Sequence, residues 1–551
     1  MKLRTRLSRF GLTGMLLLTG VILTAVLGNL WPSSFQLSNA WADDVSTSSD
    51  ALAAAVVAQQ HEIAALIEQL GNPQYADRRR AERQLIQFGF EAFDALKDAE
   101  DHDDLEIATR ARYLVQLISV ELMRPHDPPK VRSLLTRYKN SSALHRLGVI
   151  ERLARMPDDI GLEGLCRIVR YEKSQKFSKR AAFTIIAVHA TVNEAIARRE
   201  KTMRTALGRS VRPGAQWLFA YLQTLHDPSS RHAQWQRLVR IEQTSVGESS
   251  SESHDDLLAS LLYTIGGLHL DLGDHEAAEK YSQQAFHIAE GAVAHHSRMA
   301  SFFLIGHGRF AWAEREYRSI LDLVHPDSTE ARNASLRLAG MFHDQLQDLD
   351  AATVLQETME KRSPRRRISQ STLAHMEYLF AEHNARQDDR AKQREHLDKA
   401  VALDPTNADV LIAMYRLPDV DEAYRAKTVH LIQAAAATFD KGIKASPNTT
   451  AWNQWAWLIC NTEGDFKKAI KFSHRSVETV SKLAMHSQIE IPYTAADEAG
   501  YLDTLGHCYY AQGEYENAVK YQQQAAYLMP HSKIIGRQLD VFKTALADAQ
   551  R

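Results

Sequence analysis

At 551 residues, 44% of them apolar and few of them glycine or proline, the chain exceeds one ordinary hydrophobic core and predicts two or more packed units. A formal charge of −2 at pH 7 excludes the strongly basic surface of a nucleic-acid binder. Apolar positions recur at three and four, and β-branched runs bounded by turn signals are nearly absent, so the fold class is all-α.

The first 42 residues stand outside that fold. Lys2, Arg4, Arg6 and Arg9 precede an apolar run over 10–31, and Ala40-Trp41-Ala42 forms a small-x-small cleavage signal. Either 1–42 is a signal peptide removed after Ala42, or 10–31 is kept as an N-terminal anchor, being long enough to span a bilayer. Both readings export the rest of the chain across the cytoplasmic membrane, periplasmic or extracellular, because the basic residues come first. Membrane contact is expected through this segment alone, and 43–57 follows as a linker.

Residues 58–190 read as helices punctuated by Gly71-Asn72-Pro73, Gly89 and "EDHDD", with Asp77 and Arg78 near the start of a second helix. A Leu/Ile stripe, a "GNP" turn and a charged helix in this order resemble HEAT-like repeats. Three connecting helices are expected over 191–243, with Trp217 and Trp235 as packing residues. Serine-rich, acidic 244–256 ("TSVGESSSESHDD") lacks periodicity and reads as a flexible linker and the main boundary.

Beyond it, "YLDTLGHCYYAQGEYENAVKYQQQAAYLMP" (501–530) spaces Gly506, Tyr509, Gly513, Ala518, Ala525 and Pro530 as a hairpin of two short helices. Gly506 and Ala518 let the helices approach closely, and "AQGEY" makes the turn. This pattern resembles the tetratricopeptide repeat. Leu505-Gly506, Tyr509, Ala518, Ala525 and Pro530 match it, Leu502 replaces its tryptophan, and Tyr521 carries the aromatic one place early. Upstream copies hold Gly266, Gly273, Ala278, Tyr281 and Ala285 (261–290), then Gly308, Ala313, Tyr317 and Pro326 (302–326). A further copy holds Gly340, Ala352 and Pro364 (336–364), with weaker endings at 396–405 and 439–447 and a poorer copy at 455–477. The chain thus divides into an array over 257–447, C-terminal repeats over 448–530 and a capping helix over 531–551, about six or seven repeats in all. The resemblance implies an α–α superhelix.

No catalytic motif appears. "GHGRFA" (306–311) has the form of a dinucleotide loop but follows a helical segment, and Gly308 already serves as a repeat turn. His287, Glu290, His295 and His296 are the densest group of metal-ligand types, yet they lack a ligand motif, so no metal and no cofactor is expected. Cys166, Cys460 and Cys508 are odd in number and carry no metal spacing; a Cys460–Cys508 bridge stays open in an oxidising compartment. "KRSPRRR" (361–367) and "DRRRAER" (77–83) read as solvated basic segments or as docking patches for an acidic partner.

What the resemblance implies about function is peptide or helix binding in the concave groove lined by the first helix of each repeat. Its groove positions fall on Tyr263, Arg298, Phe302, Arg337, Asp344, Tyr378, Gln454, Asn461, Asp503, His507 and Tyr510. The family's lysine and asparagine carboxylate clamp is absent, while Arg298 and Arg337 are candidates for gripping a carboxylate bidentately. The leading reading is an exported or anchored scaffold with protein partners and no nucleic acid. An anchored envelope assembly factor or regulator is the alternative, and a helical hydrolase or metal-dependent enzyme is a third.

Overall fold

The computed structural model describes residues 59, 61–118, 122–139, 141–154, 156–187, 193–210, 212–226, 231–248, 252–289, 291–363, 369–486 and 495–551. The apolar run, the cleavage signal, the linker 43–57 and most of "KRSPRRR" lie outside the described residues. Residues 1–63 and 64–551 are two compact units, and the first is described only at 59 and 61–63. Among the described residues every regular element is helical, and no helix is long and apolar enough to cross a membrane.

The second unit begins with short helices: α1 (Tyr75–Phe88), α2 (Phe93–Asp98), α3 (Leu105–Leu117), α4 (Pro129–Tyr138) and α5 (Ala143–Ala154). It continues through α6 (Leu162–Tyr171), α7 (Gln175–Ala187), α8 (Asn193–Leu207), α9 (Pro213–His226) and α10 (Arg231–Glu248). Local chemistry sets their ends. Arg78 donates to the Asn72 carbonyl at 2.7 Å, fixing the "GNP" turn. Asp104 caps α3 by accepting from the Glu106 amide at 2.8 Å, a contact type that contributes about 1 kcal/mol. Trp217 and Trp235 are both buried, and the Trp235 indole donates to Thr224 Oγ1 at 3.0 Å. A buried Lys179–Glu242 pair at 2.5 Å ties α7 to α10.

Seven hairpins and a cap follow, among the described residues. They are α11 (Glu252–Asp271) with α12 (His275–Phe286), α13 (Val293–Arg298) with α14 (Phe310–Leu323), and α15 (Thr329–Asp344) with α16 (Asp348–Glu360). Next come α17 (Gln370–Arg386) with α18 (Arg390–Leu403), α19 (Ala408–Arg416) with α20 (Glu422–Ala445), α21 (Thr449–Cys460) with α22 (Phe466–His486), and α23 (Ala495–Ala511) with α24 (Tyr515–Leu528). The cap is α25 (Lys533–Ala549). Helix α13 runs on through π-helical Met299–Leu304 and a tight turn, Ile305–His307. Successive hairpins stack into the expected α–α superhelix.

The spacing read from the sequence has a steric cause. Gly273, Gly308 and Gly513 turn the chain at φ +78°, +67° and +82°, each five residues before a buried alanine, Ala278, Ala313 or Ala518. A Cβ on Gly506 would come within 2.8 Å of Gln522 Oε1 and 3.2 Å of the Phe542 ring. Ala518→Leu is therefore expected to cost about 1–3 kcal/mol by overpacking, whereas Glu516→Leu, on the exposed side of α24, costs far less. Thermal melts of the two variants check this, and equal shifts would refute the register.

Two expectations are corrected. In the α15–α16 hairpin the left-handed turn residue is Leu346, φ +64°, so the buried partners are Ala339 and Ala351. The register lies one residue earlier than Gly340 and Ala352 imply. Gly340 has no neighbour within 4 Å where its Cβ would stand, although Ala352 is itself buried. The expected linker 244–256 is largely helical, since α10 reaches Glu248 and α11 starts at Glu252. Acidic residues in the first turn of α11 favour that start by complementing the helix dipole.

The superhelix also touches itself. Gln345 Nε2, just after α15, donates to the His531 carbonyl at 2.7 Å. The His531 ring sits where a Cβ on Gly308 would meet it at 2.9 Å. On another side, the Tyr527 hydroxyl reaches the Met156 carbonyl at 3.4 Å. The last hairpin thus rests on the third, on the turn of the second, and on the N-terminal helices.

Candidate functional site

On the resemblance to the repeat family the first helices of the hairpins form the inner wall, and along the third, fourth and later hairpins acidic and histidine side chains gather there. At the start of α16, Asp348 accepts from His343 Nδ1 of α15 at 2.5 Å and from Arg386 Nε of α17 at 2.5 Å. Burial alone would raise the Asp348 carboxyl, but these two donors more than offset it and hold it below the usual range. Burial would lower the His343 imidazole, while its bond to Asp348 and the charges of Asp344 and Glu382 raise it. Glu382 is raised by burial and by the charge of Asp348. The Trp457 indole donates to Asp409 at 2.7 Å from the next wall.

Further along lie Asp344 and Asp503. Burial pushes the Asp344 carboxyl up to about 6, against an opposing pull from His343. Burial pushes Asp503 up to about 6 as well, partly offset by the amide of Gln522 at 2.6 Å and reinforced by the charge of Asp344. The charge of Asp344, in the third hairpin, thus acts on Asp503, in the seventh. Beside Asp503, His507 packs edge-on to the Trp457 and Phe542 rings at 4.9 and 5.2 Å. Burial, helped by the Arg416 charge, lowers its imidazole to about 3, so it stays neutral.

The sequence-predicted groove residues fall into distinct groups. Asp344, Tyr378, Asp503, His507 and Asn461 belong to this wall. Tyr378 is half-buried and stacks with His375 at 6.2 Å. Asn461 is buried and accepts from Arg416 at 2.5 Å. Gln454 is exposed, and Tyr510 stacks on Phe542 at 4.6 Å. The side chain of Phe302 lies outside the described residues.

Two predicted residues, Tyr263 and Arg298, are bound up inside the chain, and Arg337 is open to solvent. Tyr263 is fully buried and donates its hydroxyl to Glu316 inside the repeat, so no ligand reaches it. Arg298 is held bidentately by Asp256 at 2.7 and 3.1 Å, so the chain supplies the carboxylate that this arginine grips. Arg337 is exposed and reaches the Tyr317 hydroxyl. Sequence reasoning missed His343, Glu382 and Asp409; the one-residue register shift in α15 hid the first, and no repeat signal marks the other two.

The histidine group separates as well. His295 bonds Asp256 at 2.7 Å, His296 bonds Glu316, and Glu290 lies outside the described residues. Among the described residues, His126, Asp127 and Glu163 lie close enough for a metal. The Arg167 guanidinium already spans both carboxylates of that trio at 2.6 Å each, so it is an ion-pair network.

The tetratricopeptide repeat family model matches residues 259–290 and 499–531, the first and last hairpins. Tetratricopeptide repeats are thus present. No curated protein sequence matches the chain. Similar solved structures include the P58(IPK) TPR domain, 13% identical, covering 62% of this chain and 99% of that one with a TM-score of 0.18. Another is the APC/C hetero-tetramer Cut9-Hcn1, 14% identical, covering 76% and 93% with a TM-score of 0.20. The repeats between the matched pair keep the hairpin geometry with altered turn residues, such as Leu346 and Asp388 at positive φ.

Proposed function

We propose that this chain is a protein-interaction scaffold whose inner wall takes an extended, basic segment of a partner protein. The repeats support the scaffold role in general. The observation that carries the finer reading is that Asp344 and Asp503 are both raised by burial, and that the charge of the first raises the second further. Among the described residues no lysine or arginine is bonded to either, so a lysine or arginine from a partner would offset the cost of keeping both ionised. Binding then weakens as pH falls below about 6, when the two carboxylates take up protons.

The test is a photo-crosslinking residue at exposed Gln454 in α21, the helix that ends beside Asn461, with one at exposed Glu516 as the control, followed by mass spectrometry of the adducts. One partner is expected at position 454 and none at 516, and its capture falls in Asp344→Asn/Asp503→Asn and at pH 5. Crosslinks at 516 alone, or capture indifferent to both aspartates, would overturn the reading.

The N-terminal segment supports export, with 10–31 either removed or kept as an anchor. The mass of the mature N-terminus in envelope fractions separates the two: a chain starting at Asp43 means cleavage. Residues 58–190 are read as a HEAT-like support for the repeat array.

A further inference from the structure

Two of the three cysteines meet in one core cluster. Cys460 ends α21 and Cys508 lies within α23, and both are buried among Trp455, Ile459 and Ala469. Cys508 Sγ lies 4.0 Å from the Ala456 carbonyl, one helical turn before Cys460. In an α-helix that carbonyl accepts the backbone N–H of the residue four places on, so Cys508 sits against the backbone of Cys460. Both thiols thus lie in one buried cluster where the first helices of the last two hairpins meet. Cys166, by contrast, lies in α6 of the N-terminal helices.

We propose that Cys460 and Cys508 form a redox-sensitive disulfide that joins the first helices of the last two repeats. The bridge would stiffen the stretch of wall carrying Asn461, Asp503 and His507, whichever partner that wall receives. Before the cluster closes around them either thiol can start the exchange, and the steps are the same taken from Cys460. Its thiolate attacks a disulfide oxidant such as oxidised glutathione, releasing one glutathione thiolate and leaving a mixed disulfide. Cys508 then attacks the Cys460 sulfur and expels the second glutathione thiolate. Overall two thiols lose two protons and two electrons, and the oxidant is reduced to two thiols.

Burial holds the Cys460 thiol well above the usual range, which slows thiolate attack in the folded chain. The bridge is therefore installed as the chain folds. The full chain is unfolded in denaturant, refolded in glutathione buffers from fully reduced to fully oxidised, acid-quenched, alkylated and mapped by mass spectrometry. Expected is a single linked peptide joining 460 and 508, with Cys166 alkylated alone and the urea midpoint of the oxidised wild type raised. Cys508→Ala, or Cys460→Ala if the first fails to fold, shows no oxidation-dependent midpoint. Free thiols at both positions after fully oxidising refolding would overturn the proposal, as would glutathione adducts or links to Cys166 in place of the pair.

Discussion

Glu316→Ala is expected to destabilise the first two repeat hairpins by about 3–5 kcal/mol, the scale seen when one partner of a buried polar network is removed. Glu316 is completely buried, and its carboxylate accepts from the Tyr263 hydroxyl of α11 and from His296 Nδ1 of α13. Truncation leaves both donors without their acceptor in a site closed to water, each costing about 1–3 kcal/mol, and opens a cavity beside them. Glu316→Gln keeps one acceptor and should lose about 1 kcal/mol. Urea denaturation of the two variants measures this, and a loss below about 1 kcal/mol for alanine would show that water reaches the network.

The second large effect is pH dependence at His507. Its folded value of about 3 lies below the ordinary histidine value of about 6.5. The unfolded chain therefore binds a proton that the folded chain refuses, and stability is lost as pH falls from about 6.5 toward 3, by up to about 4 kcal/mol. Asp344 and Asp503 act in the opposite sense. Their folded values of about 6 exceed the ordinary aspartate value, so the folded chain takes up protons first and gains stability as pH falls from about 6 to about 4. Between those limits the histidine and the aspartates offset one another, and below them the histidine acts alone. His507→Asn should remove the acid loss. Asp503→Asn should add about 1–3 kcal/mol at pH 7 and expose the histidine's acid sensitivity. Urea midpoints at pH 4, 5, 6 and 7 check both, and parallel curves for wild type and His507→Asn would refute the assignment.

How much of this was legible in the sequence depended on whether a local steric demand was written as a residue type. Gly513 with Ala518, and Gly273 with Ala278, announce a left-handed turn and a close helix contact, and those hairpins were readable. At Leu346 the same backbone conformation is held by a residue that carries no such signal, so the register slipped by one and pointed to Asp344 and Arg337 without His343. The groove was harder still. A position on a helix face says nothing about what a distant hairpin brings to it. Arg298 reads as an open cation until Asp256 arrives from α11, and the Asp344 charge acts on Asp503 only once the superhelix has turned on itself.

That turning changes the kind of object the array is. In an open solenoid each repeat feels only its neighbours, so stability propagates along a line and the ends fray independently. Here Gln345 grips the His531 carbonyl, and Tyr527 reaches Met156. The line becomes a loop, with the terminal hairpin secured from three directions. Unfolding at the C-terminus must then release contacts in the middle of the chain, so the array should melt as one cooperative block whose weakest link is shared by all its members.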